Sequence, residues 1–241
     1  MASSSTREQP QAIFWDMDGT LIDTEPFWFA AEKRLVAHFG GTWTDDDCHR
    51  LVGLHLPAGA KLLQAAGVKL SIEDTVKALV TDVRDQAMAE LILRPGALEL
   101  LVECAEEGIY QALVTMSEDP LVCSVINALE ERADRKLFDV VVTGDLVVNG
   151  KPDPESYLLA QRRVAELSAE ELAPQRCIVI EDSPVGVGAG ENSGMITIAV
   201  PHTLPVPQSD RHHRWGSLAG KSVADLRRLV SQTGVVEGCA G

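Results

Sequence analysis

The sequence predicts an α/β fold: a parallel sheet flanked by helices, with an all-helical module inserted near its start. Three observations predict it. Short, continuously apolar runs such as Ala12-Ile13-Phe14-Trp15 and Cys177-Ile178-Val179-Ile180 read as strands buried on both faces. From Pro95-Gly96 onward such runs alternate with helical patterns, the signature of parallel strand–helix units. Between Thr24 and Leu93 the periodicity is helical throughout, with no strand. A chain of 241 residues suits one large domain or a core with a smaller insertion. The expected division is a core formed by residues 1–23 and 94–241 and a helical domain over 24–93.

The elements follow in order. A first strand spans Gln11 to Trp15 and ends against Asp16. Pro26 suits the first turn of a helix carrying Phe27, Ala30, Ala31, Leu35 and Phe39, which Gly40-Gly41 stops. Thr44 with Asp47 has the spacing of a capping box and opens a short helix ending near Gly53. Pro57 to Gly67 is the third helix. Ser71 caps a longer fourth with Val76, Leu79, Val80 and Val83 on one face. Then come a helix (97–107), a strand (110–115), a helix (120–132), a strand (138–143), a helix (155–166) and a strand (177–180). A short helix from Pro184 and a strand over 196–200 complete the sheet. Ser222 with Asp225 opens a last helix after an irregular connection rich in Pro, His and Arg.

Composition narrows the function. Lys and Arg number 21 against 36 Asp and Glu, a formal charge of −15, which argues against coating nucleic acid with cations. An anionic substrate would meet that field as repulsion, so its site must hold local positive charge. No run approaches the ~20 apolar residues of a membrane span. Met1 to Pro10 is polar and lacks the apolar stretch of a signal peptide, so the expected location is cytoplasmic. Five scattered cysteines, Cys48, Cys104, Cys123, Cys177 and Cys239, form no CxxC pair and fit buried thiols in a reducing compartment. His212-His213 is expected to be solvated surface rather than a metal site.

The candidate chemistry sits at the carboxyl ends of the strands, where open α/β sheets bind ligands. Asp16-Met17-Asp18-Gly19-Thr20 puts two carboxylates two residues apart as the chain leaves a strand, with Gly19 allowing close backbone approach and N–H contact to phosphate oxygens. Thr115 offers a hydroxyl after the second strand. Lys151, stiffened within Gly150-Lys151-Pro152-Asp153-Pro154, is a compact charge suited to a phosphoryl oxygen. Glu181-Asp182-Ser183 follows another apolar strand and suits a hard cation such as magnesium. Taken singly, each has an ordinary structural explanation as a turn, a helix cap or a solvated lysine. Their common placement at successive strand ends is what argues for one site.

This set resembles the haloacid dehalogenase superfamily of phosphohydrolases, in particular the subgroup with a helical cap inserted after the first strand. The resemblance runs from Ile13 to about Val200. Asp16 to Pro26 fits the family's first motif and hinge, Thr115 the second motif, Lys151 in Gly-Lys-Pro-Asp-Pro the third, and Glu181 to Gly186 the fourth. It implies a Rossmann-like core, a four-helix cap domain and Mg²⁺-dependent phosphoryl transfer. By that resemblance Asp16 is the nucleophile and forms an aspartyl-phosphate. Asp18 is the general acid and then the general base. Mg²⁺ is held by Asp16, the Asp18 backbone carbonyl and Asp182, with Glu181 as ligand or support. Gly19, Thr115, Met116 and Lys151 bind phosphate. Met116 stands where many relatives carry a small polar residue, so its contact must come from the backbone N–H.

The implied function is a phosphatase acting on a small phosphorylated metabolite, with a sugar phosphate favoured and no nucleic-acid or membrane partner. Nothing in the sequence fixes an oligomeric state, and a monomer is compatible with it. A mutase of the β-phosphoglucomutase kind shares the core motifs but uses an arginine in a Gly-x-Ser-Arg-like cap loop. The corresponding stretch, Val52-Gly53-Leu54-His55-Leu56-Pro57, lacks it. Alkyl-halide displacement needs no acid for an alcohol leaving group, yet Asp18 is present. A catalytically silent phosphometabolite-binding protein is the alternative from another class. In the cap, Glu25 and His55 are candidate substrate contacts, and Trp28, Phe29, Trp43 and Leu54 are candidate pocket walls. Gly188 and Gly190 are expected to weaken their helix by about 1 kcal/mol each relative to Ala.

Overall fold

The computed structural model describes residues 9–233. Cys239 and the serine-rich start lie outside them. Six parallel strands form one sheet in the order β3-β2-β1-β4-β5-β6: β1 (Ala12–Trp15), β2 (Tyr110–Val114), β3 (Val140–Val142), β4 (Cys177–Glu181), β5 (Ile196–Ala199) and β6 (His213–Arg214). Central β1 pairs Trp15 with Leu113 of β2 on one side and with Ile180 of β4 on the other. The strand order therefore reverses between β1 and β4, and a crevice opens there beyond the carboxyl ends.

Alternation along β1 builds the core. Ile13 and Trp15 enter one apolar cluster and Ala12 and Phe14 the other, all four fully buried. Fully burying a side chain of this size stabilises by roughly 1.5–3 kcal/mol. Helices α5 (Ala97–Glu106), α6 (Leu121–Ala133) and α9 (Val223–Thr233) cover the first face, and α7 (Glu155–Ser168) covers the second. Gln111, buried in β2, accepts from the Trp15 indole at 3.0 Å and donates to the Leu101 and Leu137 carbonyls, so this polar group in the core is satisfied.

Between β1 and α5 come only helices: α1 (Glu25–His38), α2 (Asp45–His49), α3 (Leu56–Ala65) and α4 (Ile72–Ala89). The expected caps form. Thr44 and Asp47 exchange both capping-box bonds, and Ser71 Oγ accepts from the Asp74 N–H at 3.0 Å. These helices share the first apolar cluster through Val36, Leu63, Leu79 and Val83. Helix α2 stops at His49, short of the expected Gly53, because the chain turns through Arg50 and Leu51.

Three expectations change. Strand β3 is only three residues, since Phe138 is buried in the first cluster outside the ladder and Asp139 turns its carboxylate onto the Gln111 N–H. The irregular connection contains a sixth strand, where His213 and Arg214 pair with Ile198 and Ala199. His212 is not solvated: its side chain is 3% exposed and its Nδ1 lies 2.8 Å from Glu191 Oε1. The glycines of α8 (Pro184–Ser193) are also more than weak helix formers. A methyl group on Gly190 would press on Thr197 and Val179, and one on Gly186 would collide with the Glu181 carboxylate. Those two positions buy the close approach of α8 to the sheet.

Candidate active site

The strand ends bring four of the predicted motifs into one cavity. The Asp16 N–H donates to the Ile180 carbonyl at 3.1 Å, carrying the β1–β4 ladder one residue past the strand and fixing where the side chain leaves the sheet. Thr115 is held the same way on the other flank, by Val142. Ser183 N-caps α8 by accepting from the Gly186 N–H at 3.1 Å, which leaves Asp182 free of capping and facing the cavity.

Lys151 organises the carboxylates. Its side chain is 2% exposed, and Nζ lies 2.7 Å from Asp16 Oδ1, 2.5 Å from Glu181 Oε1 and 3.1 Å from the Val114 carbonyl. Burial disfavours its charge, but the Asp16 and Glu181 carboxylates outweigh that and hold its pKa above the ordinary lysine value. Another side chain of the site belongs to none of the motifs. Tyr157, fully buried on α7, donates its hydroxyl to Glu181 Oε1 at 2.6 Å and sets its ring 5.2 Å beneath the Lys151 ammonium. Its position in the first turn after Lys-Pro-Asp-Pro was the available signal.

The remaining oxygens are orphaned. Asp16 Oδ2, Glu181 Oε2 and Asp182 Oδ2 are buried without a hydrogen-bond partner. Asp16, Glu181 and Asp182 each offer an oxygen within 4.8 Å of the others. Burial and then the neighbouring Glu181 charge push the Asp16 pKa up to about 7. Asp182 is raised well above the usual carboxylate range by burial and then by Asp16. Three carboxylates against one ammonium leave two excess negative charges, and hard oxygen donors in that number fit a divalent cation. The donor set therefore suits a divalent metal.

Asp18 is held by the cap as well as the core. Ser117 Oγ donates to its Oδ2 at 2.7 Å and Thr115 Oγ1 lies at 3.3 Å. Thr24 Oγ1 and, at 3.3 Å, Trp28 Nε1 donate to its Oδ1. Ser117, Thr24 and Trp28 were not predicted in this role, because a single-donor contact across the chain leaves no spacing to read. Gly19 corrects an expectation. Its N–H is taken by the Ile22 carbonyl at 2.7 Å, so it is not free for phosphate. What requires glycine is space and backbone: φ is +84°, and a Cβ would collide with the Asp182 carboxylate.

Glu25, Trp28, Phe29 and Leu54 line the cavity with Met116, whose buried side chain offers no hydrogen bond. Glu25 is 7% exposed with Oε2 unpartnered, and burial followed by Asp23 pushes its pKa up to about 8. Two other cap candidates sit elsewhere. Trp43 packs in the core, and His55 places Nε2 2.9 Å from the Gly144 carbonyl, tying cap to core. Cys48, Cys104 and Cys177 are buried free thiols and Cys123 is exposed.

A family model of haloacid dehalogenase-like hydrolases matches residues 13–200. The chain belongs to that family. A phosphorylated carbohydrates phosphatase of Thermotoga maritima is 35% identical over 80% of this chain and 87% of its own length. A probable pseudouridine-5'-phosphatase of Saccharomyces cerevisiae is 32% identical over 80% of this chain and 83% of its own. Among solved structures, CbbY from Rhodobacter sphaeroides in complex with xylulose-(1,5)bisphosphate superposes with a TM-score of 0.76 at 27% identity, covering 90% of this chain and 99% of that one. A putative beta-phosphoglucomutase from Thermotoga maritima gives 0.61 at 30% identity, covering 92% and 99%. Kinship and fold make this chain an enzyme, a phosphoric monoester hydrolase of that family. No described helix is long and apolar enough to cross a membrane.

Proposed function

We propose that this protein is a Mg²⁺-dependent phosphatase of a small phosphorylated metabolite, a sugar phosphate, working in the cytoplasm through a covalent phosphate on Asp16. The observation that carries the reading is the asymmetry of Asp16. Lys151 grips Oδ1 while Oδ2 has no protein partner, so one oxygen is anchored and the other is free for phosphorus. In this reading residues 1–23 and 94–241 form the catalytic core and residues 24–93 form the cap that closes over it.

Asp16 attacks phosphorus and displaces the substrate alcohol, giving an acyl phosphate that water then hydrolyses. Asp18, steered by Ser117 and Thr24, gives a proton to the departing alcohol and later takes one from the attacking water, work worth roughly 10²–10⁴-fold. Lys151 and the Thr115 hydroxyl stabilise charge on the transferring group, with the Met116 backbone as a further donor. Asp16, Asp182 and the Asp18 carbonyl would hold Mg²⁺, with Glu181 as ligand or as the group that fixes Lys151. The ion would supply charge neutralisation at the phosphoryl oxygens. Lys151 is the one cation among the described residues lining the cavity, and it is already engaged, so a second phosphate finds no clamp. That supports hydrolysis over a mutase cycle.

Phosphate release from a sugar-phosphate panel and phenyl phosphate, with Mg²⁺ and with EDTA, tests this. Wild type should turn over only with metal, and Asp16→Asn should lose activity by about 10⁴-fold or more. Isomerised sugar phosphate without released phosphate would instead mean a mutase.

A further inference from the structure

Resting on the phosphatase reading, we propose that Glu32 determines specificity by accepting a hydrogen bond from a hydroxyl of the leaving group, which selects phosphate esters of polyols over those of apolar alcohols and phenols. On helix α1 Glu32 stands four residues after Trp28, so the two share a face, about 6 Å apart along the axis. Trp28 reaches down to Asp18 at the reacting end of the cavity. Glu32 lines the same cavity one turn further into the cap, where a leaving group extends.

Its surroundings make it conspicuous. Phe29, Leu51, Leu56, Ala60 and Leu79 form the wall around it, which is apolar. Glu32 is 4% exposed, and among the described residues no ion pair reaches it. Trp43 holds Oε2 at 3.1 Å from behind the wall, with the Cys48 thiol beside the carboxyl group. An acid without a cationic partner is an expensive way to fill an apolar wall; a leucine would serve packing better. Burial pushes its pKa up to about 7, a further mark of a carboxyl kept in apolar surroundings. The indole N–H fixes the rotamer, which preorganises one polar point on an otherwise apolar surface. Sites built to bond a substrate hydroxyl discriminate against analogues lacking it far better than apolar pockets discriminate by size.

The test compares kcat/KM on the best-hydrolysed sugar phosphate of the panel with kcat/KM on phenyl phosphate, which has no hydroxyl to offer. Glu32→Leu should lower the sugar-to-phenyl ratio by about 10–100-fold, with phenyl phosphate kept within about threefold of wild type. Glu32→Gln keeps its single amide oxygen on the indole and turns its NH₂ toward the hydroxyl, whose oxygen can accept from it, so it should recover part of the ratio. Should Glu32→Leu fail to fold, wild type and Glu32→Met, which fills the same space without a carboxylate acceptor, are compared on single-deoxy analogues of that sugar phosphate. One deoxy position should lose about 10-fold or more in wild type and less in the variant. A ratio unchanged by Glu32→Leu, an equal loss on both substrates, or no sensitive deoxy position overturns the assignment and leaves the phosphatase intact. No turnover of either substrate by wild type overturns the phosphatase reading and this inference with it.

Discussion

The cavity has two walls made on different principles. The core wall is built at strand ends, where backbone ladders fix Asp16 and Thr115 and a buried lysine locks the carboxylates. The cap wall is built mainly from helix faces, where Phe29, Ala60 and Leu79 present carbon and the acids Glu25 and Glu32 are the exceptions. The carboxyl end of a sheet holds charges in register, because each inner strand is pinned by two neighbours. A helix face offers shape and an occasional polar point, and can change without disturbing the ladder. In the proposed reading, chemistry belongs to the first wall and choice of substrate to the second.

Breaking the core wall should give the largest effects. Asp18→Asn keeps the side-chain size but removes the transferable proton. It should cost about 10²–10⁴-fold in kcat/KM, which covers departure of the leaving group, on a sugar phosphate and distinctly less on phenyl phosphate, whose leaving group is more acidic, as steady-state rates on both substrates would read. An equal loss on both would remove the acid role. Gly186→Ala probes how closely α8 approaches the site. Its methyl group meets the Glu181 carboxylate, so thermal unfolding should show a loss of about 1–3 kcal/mol, and Mg²⁺ should restore less stability than in wild type. An unchanged Tm would contradict the close approach.

On the cap wall the effect depends on pH. Burial raises the Glu32 pKa from 4.5 to about 7 in the folded chain. The native state therefore holds this proton more tightly than the unfolded chain. The resulting stabilisation is complete below about pH 4.5 and is lost as pH rises through about 7, at most about 3 kcal/mol. Glu32→Gln should flatten that part of the stability profile, so denaturant midpoints of the variant and wild type should converge at pH 4.5 and separate at pH 8 in the variant's favour. A constant offset across that range would place the burial cost elsewhere.

The same contrast explains what the sequence allowed to be read. Asp16, Asp18, Thr115, Glu181 and Asp182 were legible because a strand end is marked by an apolar run with polar residues beside it, and Lys151, in the loop after β3, by its Gly-Lys-Pro-Asp-Pro setting. The strands β1, β2 and β4 were legible for that reason, and the caps of α2 and α4 because Thr44 and Ser71 have fixed offsets from Asp47 and Asp74. Strand β6 was not, since two residues facing a single neighbour carry no periodicity. Tyr157 and Ser117 act through contacts between distant segments that no local pattern records. At Gly19 the sequence marks the position but not the cause: its N–H closes a turn, and its missing side chain makes room for Asp182. His55 was placed near the substrate because it lies in the cap loop, whereas the fold turns it onto the Gly144 carbonyl. The cap wall was least legible, because an acid on an amphipathic helix looks solvated until the helix is packed.

The reading stands or falls on whether the Asp16 carboxylate takes the phosphoryl group. Acid-quenched single-turnover reactions with Mg²⁺, followed by intact-mass and peptide mass spectrometry, test it directly. The account predicts a transient phosphate adduct on the peptide containing Asp16, formed from both the sugar phosphate and phenyl phosphate and absent in Asp16→Asn. Turnover by wild type with no adduct at any quench time, or an adduct on another residue, would contradict it.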